Sequence, residues 1–126
     1  MKMTDNEKKE VLQVIYGILP DEKNPTPQVV DFTAECIDMI KLYTKKNHDY
    51  GDSFNQGMNV IGLAYGIGRL YDKMNRILTL MKVKAEISDE SIKDTIQDLA
   101  CYSVMLSVYL NHQNKSDIDN VDFEES

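Results

Sequence analysis

The chain has 126 residues, 42% of them hydrophobic and 28% charged, which is enough for one ordinary globular core and too short for a second full domain. Fourteen Lys and Arg against twenty-one Asp and Glu give a net charge of −7 and a pI near 4.7. That balance excludes a protein that holds duplex nucleic acid mainly by neutralising phosphates, yet it leaves a metal-assisted nucleotide site open. Cys36 and Cys101 lie in apolar helical patterns with no CxxC or Cys/His cluster nearby, so neither a disulfide scaffold nor a zinc site is expected. Residues 1–7 lack the apolar core of a signal segment and residues 51–67 are too polar and glycine-rich to span a bilayer, so the expectation is a cytoplasmic protein with no membrane partner.

All three prolines, Pro20, Pro25 and Pro27, fall within eight residues, so nothing downstream interrupts long helices and the pattern predicts an all-α chain of four to five helices. Thr4-Asp5-Asn6-Glu7 spells a capping box, and Val11, Leu12, Val14, Ile15, Ile18 and Leu19 recur at helical spacing until Pro20. Residues 21–25 read as a loop. Thr26 then caps a second helix with Pro27 in its first turn, carried by Val30, Ala34, Ile37, Ile40 and Tyr43 toward Lys46. Residues 47–53, Asn-His-Asp-Tyr-Gly-Asp-Ser, read as an ordered loop, followed by a short helical turn around Phe54 to Asn59.

From about Val60 to Val83 the residues Leu63, Ile67, Leu70, Met74, Ile77, Leu78 and Met81 form one apolar stripe. Gly62, Gly66 and Gly68 weaken its first half by about 1 kcal/mol each relative to Ala and allow a kink or a close helix crossing. A last helix is predicted from near Asp89-Glu90 to about His112. Between Cys101 and Leu110 it is apolar on nearly every side, which predicts deep burial and a homodimer or homotetramer. Residues 114–126 carry one base against five acids, −4 of the −7, and read as a disordered tail behind a single helical domain of residues 1–113.

The sharpest chemical feature is the pair Asp94 and Asp98, four apart on one helix face, with Glu90 a turn earlier and Cys101, Tyr102, Met105 and Tyr109 continuing the same line. Two carboxylates turned toward a packed interior repel each other and lose hydration unless a cation compensates them. Mg²⁺ is the economical choice, because it prefers a few carboxylates plus water and phosphate oxygens. The plainer alternative puts both acids at the solvated start of the helix, pairing with lysines such as Lys93.

Arg69, Asp72, Lys73 and Arg76, spaced three and four apart, form a second stripe in which three cations beside one acid suit phosphate binding; a solvated face with an Asp72 to Arg76 pair explains the same spacing. The segment holding Lys46, His48, Asp49, Tyr50 and Asp52 is rich enough in functional groups to bind ligand, although Asp-Tyr-Gly is also a turn spelling. Asp31, Glu35 and Asp38 read first as a solvated acidic face, otherwise as the completion of a four-carboxylate cluster. No GxSxG, P-loop or GxGxxG occurs and neither cysteine sits beside a base in sequence, so covalent catalysis is disfavoured.

The ordered set Lys46-Asn47-His48-Asp49-Tyr50-Gly51, then Arg69-x-x-Asp72-Lys73-x-x-Arg76, then Asp94-x-x-x-Asp98-Leu99-Ala100 resembles the nucleotide modification associated domain 1 family over roughly residues 28–111. Members of that family are small, mostly phage and bacterial proteins. More remotely, the chain resembles the MazG and dimeric dUTPase superfamily of all-α nucleoside triphosphate pyrophosphohydrolases, in which helix-borne acids hold Mg²⁺ on a triphosphate. Those enzymes carry E-x-x-E followed by E-x-x-D, whereas this chain has Arg69-x-x-Asp72 followed by Asp94-x-x-x-Asp98; the spelling Glu35-x-x-Asp38 lies on a different helix.

Residues and resemblance together predict a nucleotide-handling enzyme of the Mg²⁺-dependent pyrophosphohydrolase type in a bacterial or phage-infected cytoplasm. Asp94 and Asp98 would be catalytic and, with Glu90 or Asp72, bind the metal. Lys46, Arg69, Lys73 and Arg76 would neutralise phosphates, with Asp49, Tyr50 or Tyr65 completing the substrate site. Two other readings are carried beside it: a non-catalytic nucleotide binder that sequesters or senses its ligand, and a structural, oligomeric helical module whose acids merely cap a helix.

Overall fold

A computed structural model describes residues 2–50, 52–83 and 89–113, the side chains of 48–50 and 89–91 excepted, and all regular structure among them is helical. The elements are α1 (Asp5–Ile18), α2 (Pro27–Tyr50), α3 (Ser53–Ile61), α4 (Leu63–Lys82) and α5 (Asp89–His112). They fall into two compact units, Met1–Asp49 and Tyr50–Ser126. The acidic tail lies outside the described residues.

In the first unit the helix starts form as the sequence spells them. The Glu7 amide donates to Thr4 Oγ1 at 3.1 Å and the Thr4 amide donates to Glu7 Oε1 at 2.8 Å, the reciprocal pair of a capping box. At the other end of α1 the Leu19 amide reaches the Ile15 carbonyl at 2.7 Å, and Pro20, with no amide to donate, bars another turn. Thr26 caps α2 by accepting the Val29 amide at 3.2 Å. Val11 and Ile15 of α1 are buried against Val30 of α2, with Met3, Leu12, Ala34 and Ile37 around them, and an exposed Lys41 to Glu10 ion pair at 3.5 Å adds little to that contact.

One expectation changes here. The segment from Asn47 to Tyr50 is not a loop: α2 continues through it to Tyr50. No Pro or Gly occurs between Thr26 and Gly51 apart from Pro27 at the helix start, so each further residue closes another backbone hydrogen bond. That outweighs the propensity costs of Asn, His, Asp and Tyr, which are about 0.7 kcal/mol or less each.

In the second unit a single helix from Val60 onward is replaced by two helices meeting at Gly62. Gly62 holds φ at +96°, its amide donates to the Met58 carbonyl at 2.7 Å to close α3, and its own carbonyl accepts the Tyr65 amide at 2.9 Å to open α4. Only a residue without Cβ adopts that backbone freely. Downstream, α4 and α5 run antiparallel, because partners climb α4 as they descend α5: Gly66 meets Leu106, Arg69 meets Tyr102 and Lys73 meets Asp98. A Cβ placed on Gly66 would lie 2.7 Å from Leu106 and 2.9 Å from Met58 Sδ, so this glycine is what lets α3, α4 and α5 converge.

The core of the unit is Phe54, Met58 and Leu106, surrounded by Tyr65, Leu70, Tyr102, Met105 and Tyr109. The Tyr109 hydroxyl donates to the Met58 carbonyl at 3.5 Å and accepts from Gln113 Nε2 at 3.1 Å. One further expectation is corrected. The apolar stripe of α4 is split, since Ile77 is buried and Leu70 half-buried whereas Leu63, Ile67, Met74, Leu78 and Met81 are exposed; Leu80, outside that stripe, is buried. The cause is that α4 presents Gly66, Arg69 and Lys73 to α5, and helical geometry then turns most of its apolar stripe aside. Within one chain the apolar half of α5 buries Leu106 and leaves Val104 and Val108 about half exposed. No helix among the described residues is long and apolar enough to cross a membrane.

The glycines of this unit give a sign test. Gly62→Ala forces a side chain into positive φ and should lower stability by about 1–3 kcal/mol. Gly68→Ala, where a Cβ meets open space inside a helix, should raise it by about 1 kcal/mol. Urea unfolding of the full chain, followed by helical circular dichroism, reads both.

Candidate functional site

The α4 to α5 seam carries the chemistry. On α4 the cations recur every three or four residues, which puts Arg69, Lys73 and Arg76 on one side of the helix; on α5 the same spacing aligns Asp94, Asp98 and Tyr102. The antiparallel register brings these two lines together over two turns.

Arg69 Nη2 donates to the Tyr102 hydroxyl at 3.0 Å while its guanidinium carbon lies 5.2 Å from the Tyr102 ring centroid. The group is held at once by a hydrogen bond and by the ring's negative face. The Tyr102 hydrogen bond pushes Arg69 above its ordinary pKa against a smaller opposing effect of burial, so it is a permanent cation. Its other nitrogen, Nη1, stands 4.0 Å from the Asp72 carboxylate, a long and exposed contact.

One turn on, Lys73 Nζ lies 3.5 Å from Asp98 Oδ2, with only 22% and 26% of the two side chains exposed, and 5.8 Å from the Tyr102 ring centroid. Tyr102 is thus the hub of the seam. Two cations approach it from α4, and the Phe54 ring lies 5.7 Å away at 30°, itself 5.9 Å from Tyr65.

Arg76 continues the basic line but is exposed, and among the described residues no carboxylate lies within ion-pair distance of it. Asp94 is also exposed, one turn before Asp98 and, by the register, level with Ile77 and its neighbour Arg76. The structure therefore brings Arg69, Lys73 and Asp98 together, with Asp72 at the edge and Arg76 and Asp94 at the open end. Lys46 is an exposed residue of α2 in the first unit, as are Asp31 and Asp38, with Glu35 half-buried there. The side chains of Asp49, Tyr50 and Glu90 lie outside the described residues.

Among the described residues no three His, Cys, Asp or Glu side chains gather as a metal-holding group. Asp98, the more buried of the two expected catalytic acids, has its carboxylate beside Lys73, while Asp94 is exposed one turn earlier. Tyr102 and Phe54 are the residues that the sequence reading left without a role. Tyr102 stands four residues after Asp98, and an aromatic one turn beyond a carboxylate facing a basic stripe was the available signal. Phe54 offered none, because its contact with Tyr102 joins residues 48 positions apart in the chain.

The family model described as nucleotide modification associated domain 1 matches residues 46–110, just over half of the chain. The chain belongs to that family. Every residue of the seam, from Phe54 to Tyr109, falls inside the matched region. No curated protein and no solved structure gives a significant match.

If the seam is one connected polar unit, its parts should couple. Tyr102→Phe removes the acceptor of Arg69 and should cost about 1 kcal/mol. A double-mutant cycle of Lys73→Gln with Asp98→Asn should return a favourable coupling of about 0.5–1 kcal/mol, the upper range for a pair that keeps some contact with water. Additive single costs in chemical unfolding would show that the pair contributes nothing.

Proposed function

We propose that this protein binds the phosphates of a nucleotide along the basic line of α4, with Arg76 and Lys73 facing the anion and Arg69 fixing the geometry behind them. The observation that carries this reading is that α5 holds two of the three cations in place, Arg69 through Tyr102 and Lys73 through Asp98, while Arg76 stays exposed on the same side. Cations already ordered lose less side-chain freedom when an anion arrives, and charge-assisted hydrogen bonds to phosphate oxygens are the strong kind. Membership in a family described by nucleotide modification supports the same ligand class. The net charge of −7 is no obstacle, because −4 of it belongs to residues 114–126 and three cations recur along one line of α4. Lys46, Asp49 and Tyr50 open the matched region as further candidate ligand-binding residues, but this reading does not depend on them.

A second reading keeps the MazG-like chemistry, Mg²⁺-dependent release of pyrophosphate. It is supported by Asp94 and Asp98 standing one turn apart beside the basic line, with Asp94 open to solvent. Under this reading Asp98 exchanges Lys73 for other partners when ligand binds, which frees Lys73 for phosphate.

A thermal-shift panel of nucleoside mono-, di- and triphosphates, with and without Mg²⁺, tests both. At least one nucleotide should raise the melting temperature, and Arg76→Ala or Lys73→Ala should weaken its binding about tenfold or more. Pyrophosphate released by the parent chain and abolished in Asp98→Asn favours the hydrolase, whereas a ligand that stabilises and is recovered intact favours the binder. If no nucleotide moves the transition of the parent chain, the site reading fails and the helical interaction module remains.

A further inference from the structure

We infer that the outer face of α4 is the contact for a second copy of this chain, packed antiparallel against the same face about a two-fold axis near Asp72 and Lys73. The face consists of Leu63, Ile67, Tyr71, Met74, Leu78 and Met81, which advance by four, four, three, four and three residues and so stay on one side of the helix over its whole length. Each is between 46% and 65% exposed. The charged residues of the same stretch, Arg69, Asp72, Lys73 and Arg76, are rotated onto the other sides of α4, where Arg69 and Lys73 meet α5. A run of five turns with no charge on one exposed face is unusual for a soluble surface, and depletion of charge marks the centre of an interface.

A second copy meets the geometric condition for covering this face. Read from either end, the spacing is nearly the same, so reversing one helix sets Leu63 opposite Met81, Ile67 opposite Leu78 and Tyr71 opposite Met74 of the partner copy. That matching of a patch with itself is the requirement of an isologous two-fold contact. Six large side chains near half exposure present roughly 600 Å² per copy, at the low end of the range of about 600–1,000 Å² per partner in a standard interface. Ile96 of α5, half exposed and on the same side of the helix pair by the antiparallel register, widens the patch. Packing there leaves the basic line of α4 facing away from the partner copy.

The test uses the full chain. Sedimentation equilibrium at micromolar concentration should give twice the 14.5 kDa chain mass, and Ile67→Glu and Leu78→Glu should each shift the protein to monomer while keeping its helical circular dichroism. A register-specific check is independent of those variants. Leu63→Cys combined with Met81→Cys should form an interchain disulfide on mild oxidation, because the two positions are about 27 Å apart along one helix and cannot close within a chain. Neither single variant should add a crosslink beyond the parent chain, whose Cys36 and Cys101 set the background. A monomeric parent chain, a dimer that survives both glutamates, or a dimer that never crosslinks in the double variant would each overturn the assignment in favour of another occupant or another face.

Discussion

Everything in the second unit depends on how closely α4 can approach α5, and Gly66 sets that distance. With no Cβ at this position, Leu106 and Met58 occupy the space a side chain would need, and the two helices come near enough for residues three and seven positions further along α4 to reach across. A side chain at this position would have to displace the ends of Leu106 and Met58 that fill the space. The Arg69 to Tyr102 hydrogen bond and the Lys73 to Asp98 pair lie one and two turns further along the same seam.

The polar seam is in turn balanced between two demands. Charges withdrawn from water need partners, and each cation that faces α5 has one: a phenol hydroxyl and ring face for Arg69, a carboxylate for Lys73. Because these partners are only partly buried, the pairings hold the groups in position without making them prohibitively hard to release. The same rotation of α4 that turns its cations inward turns its apolar residues outward, so the polar seam and the uncharged outer face have one geometric cause.

Helix starts and stops that depend on nearest neighbours were legible from residue order. Thr4 with Glu7, Pro20 after Leu19 and Thr26 before Pro27 each act within one turn, where local chemistry leaves few alternatives. The end of α2 was misread for the converse reason. Asn47, His48 and Asp49 are common in turns, but a helix already in progress extends through weak formers when no Pro or Gly interrupts it, and none occurs from Gln28 to Tyr50. Gly62 was visible as a weak point, although not as a full break, because spelling does not report φ.

By itself, then, the sequence determined an all-helical chain, its caps, the alignment of acids and of bases into stripes, and a family motif set running from Lys46 to Ala100. Periodicity also put Asp94 and Asp98 on one face and Arg69, Lys73 and Arg76 on another, since a helix fixes angular position at about 100° per residue. It could not say which of two adjacent stripes a helix turns inward. Leu70, Met74 and Ile77 looked equally suited to burial, and the tertiary packing of α4 turns Ile77 in, leaves Met74 out and sets Lys73 facing Asp98. The physical reason is that periodicity encodes relative angles within one helix, whereas the absolute rotation of a helix against its neighbour is set by whichever residue permits the closest approach.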